Sequence, residues 1–201
     1  MTPDDRRAAI IAATVPLLRE KGRAASTREI ATAAGIAEGT IFRVFDNKDE
    51  LIDACVHDAF DTSTLVAGLA GVDPTLALRD RLAAAVATMQ GHLEGVFALM
   101  TVLHSSGQPV RPPTHDDEAH RRREEATAAL DAAFVELIGA DRDRLRVPPL
   151  TFVGYLRMLT LSSVHPMLGG ERSTPEELVD VLLEGAVARA AGAGAPRSTS
   201  C

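Results

Sequence analysis

The residues of this chain best able to do chemistry are the cations of its first fifty positions. Arg6, Arg7, Arg19, Lys21, Arg23, Arg28, Arg43 and Lys48 lie there, and Lys21 and Lys48 are the only lysines among 201 residues. A guanidinium can pair bidentately with guanine or bind phosphate, and an ammonium supplies a compact charge for phosphate. Eight acids balance these eight cations, so the remaining 151 residues carry the whole formal charge of −7. That balance argues against a chain that coats nucleic acid without specificity. Local geometry, not net charge, must make an anion-binding surface positive.

Other chemistries find no constellation of residues. The sequence has no GxSxG nucleophile turn, no GxxxxGKS phosphate loop and no HExxH zinc helix, so it reads as no enzyme, with no cofactor. His57, His92, His104, His115, His120 and His165 form no HxxxH pair, and although His115 and His120 are near each other, no metal site is expected. Cys55 falls on the apolar face of a helical pattern, where a small buried hydrophobe is a simpler reading than a redox sensor. With Cys201 it makes no disulfide framework.

The elements that must position the cations are helices. Hydrophobic residues make up 46% and aromatics 3%, Ala dominates, and strand-forming runs are nearly absent, so the class is all-α with about nine helices. Thr2-Pro3-Asp4-Asp5 caps a first helix that runs to about Gly22, with a bend expected at Pro16. Ser26 and Glu29 form a capping box for a short helix over 27–34, and Gly35 is its left-handed stop. Only Gly35, Ile36 and Ala37 separate it from the next stretch, 38–44, and so short a turn forces two helices to cross steeply. This is helix-turn-helix geometry.

Asn47 to Glu50 caps a helix expected to reach about Ala70 and to connect two domains. Asp73-Pro74 starts another to about Gln90, continued over 91–106, and the three prolines of 108–113 make a loop. Further helices are expected over 116–138, 148–168 and 176–190, with 191–201 a disordered tail. The division is then 1–50, a helix-turn-helix unit of three helices; 51–190, a helical domain; and the tail. The N-terminus enters an amphipathic helix without a leader pattern, so the reading is cytoplasmic. The stretch 148–168 is interrupted by Pro148, Pro149, Arg157 and His165, short of the roughly twenty clean apolar residues of a membrane span, so no membrane partner is expected.

The segments Ser26-Thr-Arg-Glu-Ile-Ala31 and Ala34-Gly-Ile-Ala-Glu-Gly-Thr-Ile-Phe-Arg-Val-Phe45-Asp-Asn-Lys48-Asp-Glu-Leu51 resemble the TetR family of transcriptional regulators, over roughly residues 8–55. The resemblance implies that Ile30, Ala31, Ile36, Ile41, Phe45 and Leu51 form the core of the unit, and that 38–44 is the recognition helix. It implies a DNA-binding set of Thr27, Arg28, Glu38, Gly39, Thr40, Phe42, Arg43 and Lys48. Thr27 would meet phosphate at a helix N-terminus, Gly39 would permit close backbone approach, and Lys48 would clamp phosphate. The chain departs from the family at Val44, where Tyr or His is usual, at Phe42, which lacks a hydroxyl, and at Ala37, in place of a Ser cap. Acidic Glu38 either accepts from a cytosine amino group or favours its helix N-terminus.

In that family the remaining helices enclose a ligand pocket, and the last two pair with their copies in a dimer. Phe97, Met100, His104, Phe134, Tyr155 and Met158 are the candidates to line a pocket for a moderately apolar small-molecule effector. The implied function is a homodimeric, ligand-responsive repressor on a palindromic operator in double-stranded DNA. The alternative is a ligand-binding or dimerising adaptor whose DNA binding is weakened.

Overall fold

The chain is described by a computed structural model covering residues 2–105, 117–168 and 171–185. The helices are α1 (Pro3–Lys21), α2 (Thr27–Ala33), α3 (Glu38–Ile41), α4 (Lys48–Ala59), α5 (Ser63–Ala70), α6 (Leu78–Ser105), α7 (Asp117–Ile138), α8 (Pro149–Val164) and α9 (Pro175–Glu184). The all-α class is as expected. The proline-rich 108–113, residues 186–190 and the 191–201 tail lie outside the described residues.

Caps set most boundaries. Thr2, Ser26 and Thr174 each accept from the backbone N–H three residues on, and the acid at that third position accepts in return, so three helix starts are closed by capping boxes. Gly35 adopts φ +66° after α2, the left-handed stop that its position predicts. α1 continues through Pro16 to Lys21.

Four boundaries depart from the sequence reading. The helix expected over 48–70 is broken between Ala59 and Ser63, because the Asp61 carboxylate accepts from the Ser63 N–H (3.0 Å) and hydroxyl (2.7 Å) and turns the chain. Asp73-Pro74 does not start a helix; Asp73 accepts from Thr75 N–H (2.8 Å) and hydroxyl (2.7 Å) in a similar turn. α6 therefore begins at Leu78 and then runs unbroken for 28 residues. α3 ends at Ile41 instead of reaching Val44, and α8 ends at Val164.

Two apolar cores result. One gathers Ile10, Leu18, Ile30, Ile41, Phe45 and Leu51 with Ile52, Cys55 and Val56, and it is completed by Leu99 and Leu103 from the far end of α6. The other packs Leu82, Val86 and Met89 of α6 against Leu130, Phe134, Val153, Leu156 and Val179. α6 is thus shared, and it packs on α1, α4, α5, α7, α8 and α9. Its length and composition alone would suit a membrane crossing, yet its place here is the centre of the bundle. Gly22 makes the junction with α1 possible: at φ +57° and ψ −141° it occupies backbone space that is essentially restricted to glycine, and a Cβ there would stand 3.0 Å from Val102 Cγ1.

Candidate nucleic-acid interface and internal cavity

α2 and α3 owe their mutual position to local bonds. Glu29 accepts from the Ser26 N–H (2.8 Å) and hydroxyl (2.8 Å) and from the Lys21 ammonium (2.7 Å). Lys21 first, then the Ser26 donors, hold the Glu29 carboxyl at about 2. After the turn, Ile36 N–H returns to Ala31 O at 3.0 Å, and α3 opens at Ala37 with no side-chain cap, as expected from its missing hydroxyl. Buried Ile30, Ala31, Ile41, Phe45 and Leu51 fix the angle from below, with Ile36 partly buried beside them.

On the outer side the residues of the candidate DNA set fall on α2, α3 and the start of α4. Arg28, Glu38, Gly39, Phe42 and Arg43 are exposed, while Thr27, Thr40 and Lys48 are partly buried. The Thr27 hydroxyl donates to Glu38 Oε1 at 2.5 Å, joining the N-terminal ends of α2 and α3. Gly39 has open space where a Cβ would go, and its φ is not positive, so nothing in the fold itself requires glycine there. Lys48 donates to the Arg23 carbonyl at 2.5 Å, which uses one of its three donors and leaves the others for an anion.

Sequence reasoning missed the residues that brace this surface from behind. Arg7 lies 4.3 Å over the Phe45 ring, donates to the Val44 carbonyl at 3.3 Å and pairs with Glu50 at 3.4 Å. Arg23 pairs with Asp49 at 2.6 Å, so with Lys48 it staples the N-terminus of α4 to the 3-10 turn Gly22–Ala24. Glu50 reads in the sequence as a capping acid, but its carboxylate accepts from the Asp46 N–H at 2.5 Å, one residue before the cap. The signal was present in the charge balance: these three cations, Lys21, Arg23 and Arg7, all have acidic partners within the first fifty residues.

A partly open cavity of about 470 Å³ lies between α5, α6, α7, α8 and the connection from α4 to α5. Of the six candidate ligand residues, the structure brings Phe97 and Met158 into its wall. Phe134 is fully buried in the bundle core, Met100 packs against the N-terminal core, and His104 and Tyr155 are exposed, His104 with its Nδ1 2.7 Å from Met100 O. Phe97 also meets the His165 ring edge-on at 4.9 Å between centroids. Residues not anticipated supply the rest of the wall, among them Phe60, His92, Leu93, Arg157 and Leu161. His92 and Val96 further line a smaller crevice against α1, with Arg19, Asp58 and Asp61. There burial, then Asp61, pushes the Asp58 carboxyl up, while burial pushes the His92 imidazole down.

Cys55 is fully buried, and its thiol is pushed up to about 12, by desolvation first and then Asp58. A thiol so protonated is a poor nucleophile and a poor sensor. Among the described residues no group of three or more His, Cys, Asp or Glu is arranged to hold a metal ion. His115, and the side chain of His120, lie outside the description.

Residues 10–55 match the family described as bacterial regulatory proteins, tetR family. The same region is 47% identical over 55 residues to the HTH-type transcriptional regulator YvkB of Bacillus subtilis. That alignment spans 27% of this chain and 28% of the relative. Solved structures extend the likeness to nearly the whole length, at the level of fold. A TetR transcriptional regulator from Streptomyces coelicolor matches with TM-score 0.52 and 22% identity over 89% of this chain and 97% of that one. The Bacillus subtilis regulator FadR, solved in complex with stearoyl-CoA, matches with TM-score 0.55 and 16% identity over 89% and 98%. PfmR of Thermus thermophilus gives TM-score 0.55 and 16% identity over 89% and 99%.

Proposed function

The head of this chain belongs to the tetR family of bacterial regulatory proteins, and on that premise we propose that the protein is a homodimeric transcriptional repressor, released from a palindromic operator by a small-molecule effector. The head, residues 1–50, carries the DNA contacts; 51–190 carry the effector cavity and the dimer face. Leu99 and Leu103 place the end of α6 inside the head's own core, so the two parts share an element through which a change in the bundle can be felt.

The observation that carries the reading is the outward surface of α2 and α3. A helix as short as α3 presents its N-terminal end to a groove, and there Gly39 offers bare backbone, flanked by Glu38 and Thr40, with Arg43 one turn on and Arg28 across the turn. The Glu38 carboxylate holds Thr27 in place in the free protein. On DNA that bond gives way or turns, so that the hydroxyl or the α2 N-terminus meets phosphate.

Dimerisation is supported by the outer faces of α8 and α9. Leu150 is 60% exposed, Tyr155 51% and Val181 49%, an apolar spread unusual for a finished surface. A two-fold dimer presents two heads to half-sites about one helical turn apart, roughly 34 Å, which demands an inverted repeat. Effector binding is supported by the cavity and by its size; FadR, of the same fold, was solved with stearoyl-CoA.

The test is to incubate the protein with random duplexes, recover the bound fraction and sequence it. An enriched inverted repeat is expected. Recovery of sequences without one, at any salt concentration that allows binding, would sink the dimeric-operator reading.

A further inference from the structure

We propose that the cavity accepts an uncharged, largely apolar molecule carrying one hydrogen-bonding group, and discriminates against anions. The inference rests on the effector reading above and narrows it to a chemical class.

Size and lining set the first part. About 470 Å³ suits a small molecule, and Phe60, Leu65, Leu93, Phe97, Met158 and Leu161 give it apolar, partly adaptable walls. Three lining residues among those described have polar side chains: Thr62, His92 and Arg157.

Charge sets the second part. Arg157 is the one permanently charged residue of the described lining, and it is already neutralised, because its guanidinium donates to Asp131 while both side chains are about three-quarters buried. An anion entering the cavity would have to displace Asp131 from its largely buried pair or lie beside its carboxylate, and either choice is costly. His92 offers no replacement charge at neutral pH. Its imidazole is half-buried, and desolvation lowers its affinity for a proton against the opposing pull of Asp61, which faces it across the neighbouring crevice with Asp58 of α4 and Arg19 of α1. A neutral imidazole and the Thr62 hydroxyl can each donate to, or accept from, a carbonyl or hydroxyl. The cavity therefore has hydrogen bonds to give and no net charge to give.

Two dyes that share a ring system separate the possibilities. N-phenyl-1-naphthylamine is neutral, and 8-anilinonaphthalene-1-sulfonate is the same scaffold with a sulfonate. Fluorescence titration of the full chain should show the neutral dye binding at least about tenfold more tightly. Asp131→Asn, which releases the guanidinium, should raise the sulfonate's affinity by about tenfold and leave the neutral dye within about twofold. Leu93→Trp, which fills the cavity, should weaken the neutral dye at least about fivefold in protein that melts like wild type. Equal or tighter binding of the sulfonate to wild type, an Asp131→Asn protein with no gain for the sulfonate, or a neutral dye indifferent to Leu93→Trp would each overturn the proposal while leaving an effector site possible. If neither dye bound, the effector reading itself would fall.

Discussion

The head and the α8–α9 region are held together by different means, and the contrast shows where each is complete. In the head, nearly every polar group behind the outer α2–α3 surface has a partner: Arg7 with Phe45 and Glu50, Lys21 with Glu29, Arg23 with Asp49, Lys48 with the Arg23 carbonyl. Its large apolar side chains point inward, apart from Phe42. The α8–α9 region has ion pairs of its own, including the bidentate Arg79–Asp180 pair at 2.6 and 2.7 Å that ties α9 to α6. Yet it leaves Leu150, Tyr155 and Val181 in the open. A unit closed by caps and pairs is finished as a monomer; a bundle with an apolar outer face is not.

The sharpest way to break this contrast is to charge the open face. Tyr155→Glu with Val181→Glu should give a folded monomer by sedimentation, because both side chains are about half exposed and their loss leaves the core intact. Operator affinity should fall by about a hundredfold, since the second head no longer binds at high effective concentration. A variant that stayed dimeric would show that the face does something else.

A smaller effect is expected where the head meets α6. Gly22→Ala puts a Cβ against Val102 and forces a glycine-only backbone conformation, so thermal unfolding should show a loss of about 1–3 kcal/mol. Smaller still is the acid response of the α2 cap. The Glu29 carboxyl is lowered from 4.5 to about 2, so its contribution is fully present above about pH 4.5 and fades as the pH falls toward 2. Melting temperatures of wild type and Glu29→Gln should converge across that window, the difference between them being largest above it.

The head was legible because its signals are local. Ser26, Gly35 and Asn47 act on atoms within a few residues, and the buried set Ile30, Ala31, Ile41, Phe45 and Leu51 is the one the family resemblance implies. What escaped was non-local or competed with helix formation. Leu99 and Leu103 lie in an apolar stretch of α6, with nothing in their spacing to send them into the head. Asp61 and Asp73 chose bonds to Ser63 and Thr75 over helix, a competition that periodicity does not register. The cavity was the least legible, since Phe97, Met100, Phe134 and Met158 share a chemistry but point to different places. Only the packing of α6 against α7 and α8 separates wall from core.

The claim on which the account depends is that the N-terminal end of α3 enters a DNA groove, and Gly39 tests it most directly. The fold has open space at this position and no positive φ, so Gly39→Ala should leave the melting temperature unchanged or slightly higher, alanine being the better helix former. Affinity for the recovered duplex, measured by fluorescence anisotropy at fixed salt, should fall at least about tenfold because the added methyl holds the backbone off the DNA. Unchanged or tighter binding by Gly39→Ala would contradict the docking of α3 and move the protein toward an adaptor whose head no longer reads DNA.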